Sequence, residues 1–250
     1  MKRLLRIEFL KLQHSKGFRV LLFLSALLGF FATIASTGSG EGIVITGYDT
    51  FYKQFGDLKS LIFVFLGVFS GIFIGEDFSN RIIQSEISSG YSRFAILLSK
   101  SLMYMIGIFM IIASELLVAT IGTTVLNGFG PVITLNIVSI MIRSYLIYSF
   151  IMSGISMICI MIAFLIKNKG SIIAINMLLL VIIDGVLQFL SSKLPLGLQM
   201  YDKTPFYQVL LTTSPSIMIV DLVRGILVGM ITLVIFFSIT HIIFLRSELK

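Results

Sequence analysis

Residues 138–166 read VSIMIRSYLIYSFIMSGISMICIMIAFLI, and after Lys167-Asn168-Lys169 residues 170–190 read GSIIAINMLLLVIIDGVLQFL. At 1.5 Å per residue these stretches make helices about 43 and about 31 Å long, each enough to cross a ~30 Å hydrocarbon core. Four more apolar runs, near 18–37, 60–75, 97–124 and 218–245, bring the expected spans to six. The whole composition agrees: 57% of the 250 residues are apolar and 12% charged, with a mean hydropathy of +1.04. Water-soluble domains carry about 25% charged residues. The expected fold is an all-α polytopic membrane protein forming one transmembrane domain over 1–250. Six spans leave no room for a soluble catalytic domain, so an energy source for any transport lies in another chain.

A net charge of +7 in such a chain marks topology before it marks a nucleic-acid partner, and no nucleic acid is expected. Thirteen basic residues fall on one side: six before the first span, Arg81, Arg93 and Lys100 between spans two and three, Lys167 and Lys169, and Arg246 with Lys250. The opposite connections hold Lys53, Lys59, Lys193 and Lys203, while Arg143 and Arg224 lie within spans. Both termini are therefore expected in the cytoplasm.

The segment 1–17 sets Leu4, Leu5, Phe9 and Leu12 on one side of a helix and Lys2, Arg3, Arg6 and Lys11 largely elsewhere. It reads as an amphipathic helix lying on an anionic leaflet. A signal peptide is the competing reading, but the run from Phe18 to Ser36 exceeds a 7–15-residue h-region. On the outer side, 38–59 begins Gly-rich at Thr37–Gly42 and turns aromatic at Tyr48, Phe51, Tyr52 and Phe55. The 191–217 segment carries Pro195, Pro205 and Pro215 between apolar stretches, and is expected as a re-entrant or short-helix segment. Gly67, Gly71 and Gly75, and Gly225 with Gly229, mark close helix contacts.

No familiar catalytic motif stands at the spacing its chemistry needs. A Walker A run, H-E-x-x-H, G-x-S-x-G and Cys/His clusters are all absent from the sequence. His14 and His241 sit near span ends, and the single Cys159 lies in an apolar run. No catalytic residue, metal site or bound cofactor is expected. Charge inside the spans is the sharper signal, because an ionised side chain at mid-bilayer costs about 2.5–3.5 kcal/mol on insertion scales. Glu115, Arg143, Asp184 and Arg224, with Asp221 nearby, are expected to form an ion-paired belt in the outer half. That belt either orders the bundle or lines the outer mouth of a transport route.

The connection after span two reads GEDFSNRIIQSEISSGYSR over 75–93, far more polar than its flanks. Asp77 or Ser79 can cap a short amphipathic helix with Phe78, Ile82 and Ile83 on its apolar edge, and Ser88-Ser89-Gly90 then breaks the chain. From the residues alone this helix either lies on lipid or contacts a partner.

At these residues the chain resembles the membrane-spanning subunits of type-2 ABC exporters, especially the bacitracin-resistance and lantibiotic-immunity permeases of Gram-positive bacteria. The pattern is carried by Glu76, Asp77 and Phe78, by Arg81-Ile82-Ile83-Gln84, by Gly90, and by Arg93 followed by Lys100. The resemblance implies a coupling segment at 76–93, with a helix at roughly 76–88 docking on a separate cytoplasmic ABC ATPase, two copies of which bind ATP and Mg. Glu76, Asp77 and Arg81 would pair with that partner and Phe78 and Ile82 would fill a pocket in it, with Ser79, Ile83, Gln84 and Arg93 as further candidate coupling residues. It further implies a second permease subunit, identical or homologous, meeting this one through helices one and five, where Ser25, Gly29 and Thr33 form a stripe. The location implied is the bacterial plasma membrane, and the activity is export of an antimicrobial or membrane-active peptide or hydrophobic antibiotic. An ion-coupled secondary transporter using Glu115 or Asp184, and a non-transporting scaffold or sensor, are the alternatives.

Overall fold

The structure, a computed structural model, describes residues 1–37, 44–57, 59–193, 201–211, 213–214 and 217–247. Among these residues every regular element is helical. In chain order they are α1 (Lys2–His14), α2 (Lys16–Thr37), α3 (Gly47–Asp57), α4 (Lys59–Ser79), α5 (Ile82–Ser88) and α6 (Arg93–Asn127). There follow α7 (Leu135–Ile166), α8 (Lys169–Lys193), α9 (Pro205–Leu211) and α10 (Ile219–Arg246). Six of them, α2, α4, α6, α7, α8 and α10, are long and apolar enough to cross a membrane, at the six places where the sequence shows apolar runs. The chain is a multi-pass membrane protein.

Small residues decide how the spans pair. Gly29 of α2 lies against the backbone of Glu115 and Ala119 in α6, Ser25 hydrogen-bonds Ser114, and Ser36 meets Thr123 at 3.3 Å. Residue numbers rise together along both helices, so α2 and α6 run parallel. The Ser25, Gly29 and Thr33 stripe is thus spent inside the subunit, and the expectation that it faces a second permease is corrected. Lipid gives helices no hydrophobic reason to associate, so close backbone approach through small residues takes over that role.

The same logic joins α4 to α8, here antiparallel. A Cβ on Gly67 would sit 2.6 Å from the backbone N of Met177, and one on Gly75 3.0 Å from the Cα of Lys169. Between α7 and α10, Gly154 packs on the carbonyl of Gly229 and Phe164 on Phe244, with ring centres 4.9 Å apart. α4 and α7 form the enclosed centre, while α2, α8 and α10 show most of their surface outward, including Phe23, Phe30, Leu178 and Ile182.

Two connections between spans carry short helices, α3 after α2 and α9 after α8, the second within the segment expected to be re-entrant or a short helix. Residues 38–43 of the Gly-rich stretch lie outside the described residues, but the aromatic part forms α3, whose Phe51 and Phe55 are buried and whose Phe55 stacks on Tyr148 at 4.6 Å. Asp49 begins it, accepting from the backbone N and hydroxyl of Thr46 at 3.2 and 2.7 Å. In the 191–217 segment, α9 starts at Pro205, where a missing N–H costs a first turn nothing. Its Phe206 is buried and meets Phe63 edge-on at 5.5 Å. Pro195 and Pro215 lie outside the described residues.

Candidate functional site

α4 does not end as a regular helix. Gly71–Gly75 form one wide π-helical turn, which then returns to α-helical geometry over Glu76–Ser79. A π turn inserts an extra residue and rotates everything beyond it, a device frequent at functional sites. Here it aims Asp77 inward, against expectation. Asp77 is wholly buried and accepts from Lys100 Nζ at 2.5 Å and from Lys11 Nζ.

Lys100 is the centre of this cluster. It lies two turns into α6, is completely enclosed, and its ammonium also reaches Glu8 of α1 at 2.5 Å and Glu86 of α5 at 3.4 Å. Lys11 adds a bond to the carbonyl of Phe73 at 2.9 Å and sits 4.5 Å from the Phe73 ring centre. Four elements, α1, α4, α5 and α6, are therefore tied at one ammonium. A buried lysine is tolerable only because three carboxylates surround it, and losing one member of such a set is far costlier than losing a surface ion pair. With two lysines against three carboxylates the group carries one surplus negative charge, and Glu86 yields. Burial, and the facing Glu8 and Asp77, push its carboxyl up to about 7 although Lys100 opposes the shift.

This arrangement adds a protein contact to the sequence reading of α1. Its buried face is Leu4, Glu8 and Leu12 against α6, while Phe9 and Leu10 are exposed, so the helix docks on protein through a buried acid as well as through leucines. The expected single helix at 76–88 is corrected: it breaks at Asn80-Arg81. Arg81 takes the left-handed conformation, φ 56°, which costs a non-glycine residue roughly 1–2 kcal/mol. Neither Asp77 nor Ser79 caps α5, since Ser79 Oγ donates back to the carbonyl of Gly75 at 3.0 Å.

The candidate coupling residues accordingly divide. Asp77, Phe78 and Ile83 are buried within the chain, and Phe78 packs edge-on against Phe164 at 5.2 Å, so these three cannot reach a partner. Arg93 turns to the end of α10, donating to the carbonyls of Phe244, Leu245 (2.9 Å) and Ser247 (3.1 Å). A cation there satisfies orphan carbonyls and faces the negative end of the helix dipole. Glu76 is half-exposed and paired with Lys169 at 2.8 Å. Arg81, Ser79, Ser85 and Ser88 are exposed, with Ile82 and Gln84 partly so. Arg81, Ser85 and Ser88 fall on one outward stripe of α5, opposite Ile83 and Glu86. Gly90, φ 86°, then turns the chain into Ser92, whose hydroxyl accepts from the Ala95 N–H at 3.2 Å and caps α6.

The expected ion-paired belt is not one network. Asp184 is buried and bound to Lys59 at 2.7 Å, to Gln188 at 2.9 Å, and to the Tyr201 hydroxyl at 3.3 Å. Burial pushes the Tyr201 phenol up to about 12, which keeps it a donor. Asp221 and Arg224 approach only each other, at 3.9 Å, on the exposed first turn of α10. Arg143 lies beside Tyr52 of α3, its Nε and Nη2 without hydrogen-bond partners. Glu115 is buried near Tyr148, with no cation within 4 Å among the described residues and its Oε1 unpartnered. Glu115, Arg143, Asp184 and Arg224 lie on four different helices, and among the described residues none of these four pairs with another, so similar depth does not bring them together.

Lys59 escaped the sequence reading because it borders a loop, and Glu8 because it stands among basic residues. The one signal for the first cluster was Lys100 itself, a lysine already past the start of an apolar run. Between α6 and α7 lies a groove of about 380 Å³, lined by Phe51, Leu117, Ile121, Phe129, Ile142 and Tyr145. A family model described as ABC-2 family transporter protein matches residues 4–187, from α1 through most of α8. No curated protein matches the sequence.

Proposed function

The chain belongs to the ABC-2 transporter family, and from that premise we propose that it is the permease subunit of an ATP-driven exporter whose partner ATPase docks on the outward stripe of α5. The observation that carries the reading is the tie between α5 and the spans: Glu86 reaches Lys100 at 3.4 Å, and Lys100 holds α4 through Asp77 and α1 through Glu8 at 2.5 Å. A push on Arg81, Ser85 and Ser88 is passed to α4 and α6 together, because a buried charge cannot be left behind at small cost. In this reading both termini and α5 face the cytoplasm of a bacterial cell, following the basic connections. ATP and Mg bind in two ATPase copies, and a second permease subunit packs on the outward apolar faces of α2 and α8.

The α6–α7 groove supports a substrate class. Its wall is almost wholly apolar, and Leu117, Ile121 and Ile142 along it are exposed, which suits a hydrophobic or amphipathic molecule, such as a membrane-active peptide or antibiotic, entering from the bilayer. Glu115 favours a second reading: a buried carboxyl with no cation partner is what a proton-coupled transporter without any ATPase would use.

One experiment separates them. The tagged chain is purified from mildly solubilised native membranes beside Arg81→Glu/Ser85→Glu, and co-purifying proteins are identified. A Walker-motif ATPase recovered with the native chain and lost from an otherwise intact variant supports the exporter. An intact native chain without ATPase, whose vesicles show flux abolished by Glu115→Gln, overturns it in favour of proton coupling.

A further inference from the structure

We propose that the cleft between the α1–α2 junction, the end of α4 and the start of α8 binds the phosphate of an anionic phospholipid headgroup. The cleft measures about 530 Å³ and presents Lys11, Lys16 and Lys169, with His14, against the single carboxylate of Glu76. Glu76 is already matched by Lys169 at 2.8 Å, and Lys11 is drawn to Asp77 behind the wall. Lys16 is exposed and has no carboxylate within 4 Å among the described residues. The His14 ring directs Nδ1 to the Leu10 carbonyl at 2.8 Å, which leaves Nε2 for the cleft. The wall therefore holds an unanswered positive charge.

Position selects a lipid as the carrier of the anion. Lys16 opens α2, Lys169 opens α8 and Glu76 stands in the last turn of α4, so all three mark the level where spans leave the hydrocarbon, which is the level of headgroups. Below the lysines the wall turns apolar at Gly17 and Ile72. A Cβ on Gly17 would lie 2.7 Å from Ile72 Cγ2, so glycine here lets α2 and α4 meet and give the cleft a floor. Val20, Phe23 and Leu24 follow Lys16 at four, seven and eight positions, on the same side of α2, and all are exposed. Acyl chains hanging from a phosphate held at Lys16 would lie along them. Lys2, Arg3 and Arg6 are exposed on α1 outside the cleft and supply only diffuse attraction to an anionic surface.

The inference requires only that α2, α4 and α8 cross the membrane, so it stands or falls apart from the ATPase reading. The purified full chain is titrated with phosphatidylglycerol, phosphatidylcholine or inorganic phosphate, and bound lipid is counted by native mass spectrometry. Phosphatidylglycerol is expected to be retained over phosphatidylcholine, with Lys16→Gln/Lys169→Gln weakening it about tenfold and Lys2→Gln/Arg3→Gln, an equal loss of charge, leaving it nearly unchanged. Glu76→Gln is expected to tighten binding, a gain that a folding defect cannot produce. Equal weakening by the two lysine-containing pairs, or no gain in Glu76→Gln, overturns the site. Binding of inorganic phosphate that depends on Lys16 and Lys169, without retention of phosphatidylglycerol, overturns the lipid assignment.

Discussion

Lys100 and Asp77 stand 23 positions apart in the chain and 2.5 Å apart in the folded protein, both fully shielded from solvent. The bond closes the loop that contains α5, and it makes the polar connection between two spans part of the protein interior.

Lys100→Met leaves Asp77, Glu8 and Glu86 facing only Lys11. Removing one partner of a buried ion pair costs about 3–5 kcal/mol, so thermal melts in detergent are expected to show a large drop in stability. Lys100→Arg keeps the charge and should retain most of it. Adding Asp77→Asn and Glu8→Gln to Lys100→Met should recover much of the loss, since only Glu86, whose carboxyl is already raised to about 7, is then left without Lys100.

Glu86 makes the cluster sensitive to pH. Its carboxyl is raised from 4.5 to about 7, so between those values the folded protein holds a proton that the unfolded chain has released. Stability from this group is complete below about 4.5 and is lost as pH rises through about 7. Melting curves across that window are expected to slope downward with pH, and Glu86→Gln, which still faces Lys100, Glu8 and Asp77 but cannot ionise, should flatten the slope.

Lys59 and Asp184 form the second buried pair, 2.7 Å apart. Lys59→Met and Asp184→Leu are each expected to lower the melting temperature strongly. The double variant should melt closer to the native protein than either single one, because an apolar pair replaces an ion pair at little cost while a lone charge does not.

Two glycines on facing helices are expected to behave oppositely. Gly67→Ala pushes a methyl to 2.6 Å from the Met177 N and 2.9 Å from the Asn176 carbonyl carbon, backbone atoms that cannot step aside, so α4 and α8 must separate and folded yield should fall. A Cβ on Gly185 meets nothing within 4 Å. Gly185→Ala should be neutral or stabilise α8 by up to about 1 kcal/mol, read by melting of the purified variants.

Arg93 reaches the end of α10 from α6, its Nη1 lying 2.9 Å from the Leu245 carbonyl. Arg93→Gln removes the charge facing the helix dipole and should fray the last turn, seen as faster hydrogen exchange over 243–247, while exchange in α5 stays unchanged.

Six spans and the polar character of 76–93 were legible in the sequence because length and hydropathy are one-dimensional properties, and the bilayer acts on them directly. What each charged residue faces was not legible. Asp77 and Arg93 look alike as exposed loop charges in the chain, yet one π turn buries the first at Lys100 and the second closes a helix 151 residues away. Ser25, Gly29 and Thr33 likewise announce a close contact but not its partner, and only the packing of α2 on α6 decides that it lies within the subunit. The class and the number and place of the spans depend on local cost in lipid and could be read along the chain, whereas helix ends such as Arg93 and Ser79 lie up to four residues beyond the apolar runs. The tertiary structure decided the pairings, since a buried charge is stable only where particular opposite charges converge from distant elements, and periodicity along one helix does not record that convergence.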